Sequence, residues 1–71
     1  MQRLITPKTE KEILRTHPIF SKVKGWFIKV QEFQNNAFVV EVVDRYGRTI
    51  SKQGSDPDIL IKEIEELIVN L

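Results

Sequence analysis

The sequence predicts an α+β domain: a short N-terminal helix, a three-stranded antiparallel β-meander, and an amphipathic C-terminal helix packed on one sheet face. Three observations carry this expectation. A capping-box pattern opens at Thr9. From Trp26 the apolar period changes to two, interrupted by turn residues at Asn35-Asn36 and Arg45-Tyr46-Gly47. After Asp56-Pro57 the period becomes that of a helix.

In Thr9-Glu10-Lys11-Glu12 the Thr9 hydroxyl can accept a backbone N–H while Glu12 reaches back, which starts a helix of about two turns. His17-Pro18 ends it, because the residue before proline is pushed out of helical geometry. A helix this short depends on tertiary contacts, so Ile13, Leu14, Ile19 and Phe20 are expected to fill one edge of the core.

Trp26 to Phe33 alternates, with Trp26, Ile28 and Val30 on one face, and Ala37 to Asp44 forms a second strand rich in β-branched residues. Arg48 to Gln53 is a third, more polar strand. A two-residue Asn35-Asn36 loop would set Phe33 opposite Phe38 and put Glu41 among the apolar residues. A three-residue loop, Gln34 to Asn36, pairs Phe33 with Ala37 and joins Trp26, Ile28 and Val30 to Phe38, Val40 and Val42. The second register segregates apolar from charged residues and is the one expected. A three-residue loop at Arg45-Tyr46-Gly47, with Gly47 left-handed, carries the same face to Ile50 and sets Asp44 opposite Arg48.

Ser55-Asp56-Pro57-Asp58 supplies a cap, a first-turn proline and acids at the positive end of the helix dipole. At 100° per residue, Leu60, Ile61, Ile64, Leu67, Ile68 and Leu71 fall within an arc of about 120°, the stripe of a helix lying on a core. Ile59 and Val69 fall outside it. The expected core is thus Trp26, Ile28, Val30, Phe38, Val40, Val42 and Ile50 under this helix, one domain over residues 1–71.

Composition narrows the function classes. With no cysteine there is no disulfide framework and no Cys-rich zinc site. Met1-Gln2-Arg3-Leu4-Ile5-Thr6-Pro7 lacks the apolar stretch of a signal peptide, and the apolar runs are far too short to span a bilayer. The expectation is a soluble, cytoplasmic chain. The net charge is +1, unevenly spread: residues 1–24 are basic and residues 56–71 acidic.

No catalytic residue, metal or cofactor is expected. The single imidazole, His17, reads as a helix-end residue near the last carbonyls rather than a general base. Glu63, Glu65 and Glu66 lie on the polar face of the last helix, where solvation accounts for them. Asp56 and Asp58 have the spacing of a calcium loop without its later ligands, and Gly47 and Gly54 are isolated turn glycines.

Binding is the better-supported class, through the sheet face away from the C-terminal helix. That face is expected to present Phe27, Lys29, Gln31 and Phe33, then Ala37, Val39, Glu41 and Val43, then Thr49, Ser51 and Gln53. Phe27, Lys29, Phe33, Val39 and Val43 are the candidate contacts for a protein partner or a second copy of the chain, unless the N-terminal segment covers them. The edge strands are a second route to the same partners. The alternative is nucleic-acid binding, with Lys29, Arg45, Tyr46, Arg48 and Lys52 as contacts. Helix, three strands, helix is also the element order of double-stranded-RNA-binding domains, an analogy that carries no function by itself. Their lysine cluster is missing here; Ser55-Asp56-Pro57-Asp58 stands in its place.

Overall fold

The computed structural model describes residues 7–70. Helix α1 (Glu10–Ile13) leads into strand β1 (Ile19–Phe20), then β2 (Trp26–Gln34), β3 (Ala37–Asp44), β4 (Thr49–Gly54) and helix α2 (Pro57–Val69). The strands form one antiparallel sheet in the order β1-β2-β3-β4. The α+β class holds, with four strands rather than the expected three.

The extra strand is β1. Ile19 and Phe20 do not fill the core edge as expected; both are exposed, and they pair with Ile28 and Phe27 along the outer side of β2. Pro18 holds the chain extended as it leaves α1, and two residues are too few for any period to show. The capping box at Thr9 and Glu12 forms, and Ile13 is buried. The helix has one turn, Glu10–Ile13, not two.

Register in the central hairpin is set along most of its length by Trp26↔Asp44, Ile28↔Val42, Val30↔Val40 and Glu32↔Phe38. This is the register expected, but its tip differs. Gln34 rather than Phe33 lies opposite Ala37, a bulge at Phe33 absorbs the odd residue, and Asn36 turns the chain at φ 60°. The second turn is as expected: Val43 faces Thr49, Val42 faces Ile50, and Gly47 has φ 93°.

One face of the sheet therefore carries Trp26, Ile28, Val40 and Val42 beneath Leu60, Ile64 and Ile68 of α2, with Val30, Phe38, Ile50 and Ile61 around them. Asp56 caps α2 by accepting from the Asp58 and Ile59 N–H groups, and Pro57 opens its first turn. Leu60 lies where a Cβ at residue 54 would come within 3.1 Å of it, so Gly54 lets the helix start close to the sheet. Ile59 and Val69 are exposed as expected; Leu67 is half exposed, and Leu71 lies outside the described residues, as do Met1 to Thr6.

Asp44 closes the far end of this core. Its buried carboxylate accepts from the Tyr46 and Arg48 backbone N–H groups at 3.0 and 2.8 Å and from the Arg48 guanidinium, which stands 5.2 Å from the Trp26 ring centre. Burial pushes the carboxyl pKa up, but the hydrogen bonds from Arg48 and Tyr46 outweigh it and hold it below its ordinary 3.8. A carboxyl with a lower pKa folded than unfolded stabilises the fold above the unfolded value, and the benefit fades as pH falls through the folded one. Asp44→Ala is therefore expected to cost about 2–3 kcal/mol in urea unfolding at pH 7. At pH 2–3 the gap between the two proteins should narrow, a measurement open to urea titration at both pH values.

Candidate interaction surface

The face opposite α2 is divided. Its upper half is covered by the chain before β2. Phe27 is only 1% exposed, enclosed by this segment with Phe20 tilted against it at a ring-centre distance of 5.6 Å. His17 comes down on the same face and is buried. Its Nε2 lies 2.7 Å from Glu41 of β3, and its Nδ1 lies 2.7 Å from the Thr16 hydroxyl. An ionised carboxylate can only accept, so Nε2 donates to Glu41. Lys29 Nζ lies 3.9 Å from the same Glu41 oxygen.

Of the residues expected to meet a partner, Phe27 must be withdrawn, because a side chain sealed under the N-terminal segment is part of the core. Val43 is half-buried beside it, at the margin of the covered half. Lys29 and Val39 are half-buried, and Phe33 projects at the bulge with 51% of its surface exposed. The open half is thus Gln31, Phe33 and Val39, continued by Ser51 and Gln53 on β4.

The residues of the nucleic-acid alternative do not converge. Lys29 lies on the covered face beside Glu41, whereas Lys52 lies on the α2 face, 3.6 Å from Glu63. Arg48 is bound to Asp44, and Arg45 donates to the Lys8 carbonyl at 2.9 Å. Tyr46 is exposed at the tip of the same turn. Each of the four cations is engaged within the fold, and they stand on two faces and a turn rather than along one stripe.

Sequence reasoning missed a feature of the backbone. Asp44 N–H donates to the Arg48 carbonyl, so the even-numbered residues of β3 and β4 carry the bonds between these strands. Thr49, Ser51 and Gln53 of β4 consequently direct their N–H and C=O groups away from the sheet. By the same parity Ser21 N–H reaches the Trp26 carbonyl, and the even residues of β2 face β1. The two edges are therefore unlike. On the β2 side the edge is shortened by β1 and bent by the Phe33 bulge; on the β4 side it runs straight for six residues.

No family model matches the chain, and no curated protein or solved structure matches it significantly. Among the described residues no helix is long and apolar enough to cross a membrane, and no group of three or more metal-ligating side chains is gathered. An open groove of about 390 Å³ between α1 and the β3–β4 turn is lined by Lys8 and Arg15 but equally by Glu12 and Asp44, so its charges do not converge on one ligand.

The division of the face makes a direct prediction. Phe27→Ala should cost about 3–5 kcal/mol, the range for a large aromatic removed from a core. Phe33→Ser should change stability by no more than about 0.5 kcal/mol, as for an exposed position. Thermal or urea unfolding of the two variants distinguishes them.

Proposed function

We propose that this chain is a small non-enzymatic interaction domain that binds protein through the free edge of β4, with the adjoining open strip of Val39 and Phe33 as secondary contact. The observation that carries the reading is that, among the described residues, nothing pairs with or interrupts that edge. Proteins protect edge strands with proline, bulges, very short strands or a lysine aimed along the edge. Strand β4 has no proline and pairs without a bulge, and its one lysine is turned onto the α2 face and held by Glu63. A row of outward N–H and C=O groups is the template used in recognition by strand addition.

The rest of the chemistry agrees. His17 has both ring nitrogens engaged inside the fold, and the cations of the turn and sheet are tied to carboxylates or a carbonyl. Neither feature offers a reacting group or a phosphate-binding stripe. The lack of cysteine suits a reducing compartment, and the reading takes the cytoplasm as its setting.

A benzophenone amino acid placed at Gln53 tests the reading in intact cells, with Lys11 on α1 as the control position. Light-induced protein adducts are expected from Gln53 and not from Lys11. Equal yields at both positions, or an adduct removed by nuclease, would contradict an edge that binds protein.

A further inference from the structure

Resting on that reading, we infer that the occupant of the β4 edge is a second copy of the chain, which pairs β4 with β4 antiparallel about a two-fold axis at Ser51. Three features fit a self-complementary contact. First, the outward residues Thr49, Ser51 and Gln53 are spaced evenly about Ser51, so this register alone uses all of them. Thr49 of each copy faces Gln53 of the other, and about six hydrogen bonds form, two for each closely paired set. On the α2 side it sets Lys52 opposite Ile50 of the other copy, so no two like charges face each other across the strands.

Second, the position of α2 suits the pairing. The helix lies over β3 and β4. With strands about 4.8 Å apart, the two helices would stand roughly 10 Å from one another, the spacing at which helices pack. Third, the side of α2 that would meet its copy is identifiable. Glu63 bonds to Lys52 of β4, whereas Glu65 accepts from the Ser21 hydroxyl and the Lys22 N–H on the β1 side. Leu67, one turn after Glu63, therefore flanks the β4 edge, and half of its surface is exposed although it belongs to the apolar stripe. In the pair, Leu67 of each helix is covered by the other copy, and Glu63 comes within reach of Lys52 in both. The interface is isologous, so it closes at two copies and extends the sheet to twice its width without leaving another β4 edge open.

Sedimentation equilibrium of the full chain from about 5 to 500 μM is the test, since a dimer of this kind populates by mass action. A concentration-dependent rise to twice the chain mass is expected. Ser51→Pro removes only an outward N–H, and Leu67→Glu charges only an exposed side chain; each should weaken the dimer at least about tenfold while the circular dichroism spectrum is kept. Leu67→Glu decides the matter if the proline variant does not fold. Because the chain has no other cysteine, Ser51→Cys should give a covalent dimer with a short bismaleimide, and Lys11→Cys should not. A monomer throughout this range, or a dimer indifferent to both substitutions, would overturn the self-pairing. A monomer whose Gln53 photo-adduct is with a different protein would leave edge binding in place with another occupant; loss of any edge adduct would remove both.

Discussion

Strands β2 and β3 hold Ile28 against Val42 and Val30 against Val40, and the rest of the molecule is arranged around that register. Both strands alternate, so a slip of one residue would turn Val40 and Val42 away from α2 and bring Glu41 beneath it. The register is maintained from both ends. At one end Asn36 turns tightly and the bulge at Phe33 absorbs the residue that the turn would otherwise displace. At the other, Asp44 fastens the β3–β4 turn through three hydrogen bonds and brings Arg48 over Trp26. With parity fixed, α2 finds an apolar surface on one face, and Glu41 stands on the other where His17 and Lys29 reach it.

Periodicity and capping are legible in the sequence, because both are local. Val40 and Val42 with Ile28 specify a face, Thr9 and Glu12 specify a helix start, and Asp56-Pro57 another. Parity of the hairpin could be argued from charge segregation, since only one choice keeps Glu41 out of the core. Where the odd residue would be absorbed could not, because a three-residue loop and a two-residue turn with a bulge give the same parity. Strand β1 escaped for a related reason: a two-residue strand has no period, and its existence depends on how residues 21–25 bring the chain back beside β2.

The candidate site was legible to the extent that alternation names a face and no further. It placed Phe27, Lys29, Val39 and Val43 together on the side away from α2, which the pairing bears out. Whether that side is open depends on a contact between residues 24 apart, His17 and Glu41, both polar and neither part of an apolar pattern. The imidazole reads locally as a helix-end residue, and its backbone N–H does bond to the Ile13 carbonyl. Its side chain is nonetheless used at long range, and that use decides that Phe27 belongs to the core.

A sheet of four strands has two edges, and this chain treats them differently. The N-terminal segment crosses one face and returns as β1, shielding the start of β2, while the Phe33 bulge twists the remainder. Among the described residues nothing comparable reaches β4, because the chain leaves that strand directly into α2, which packs on β3 and β4. Backbone hydrogen bonds along an edge are nearly indifferent to sequence, so an edge alone selects no partner. Selectivity has to come from what flanks it: on one face the polar row of Thr49, Ser51 and Gln53, on the other Ile50, Lys52 and the Leu67 side of α2. With the cations of the sheet already paired to Glu41, Glu63 and Asp44, long-range attraction has little part in that choice. Recognition at β4, as proposed, would therefore rest on the fit of short-range contacts, the regime in which a partner is distinguished by how slowly it leaves rather than by how fast it arrives.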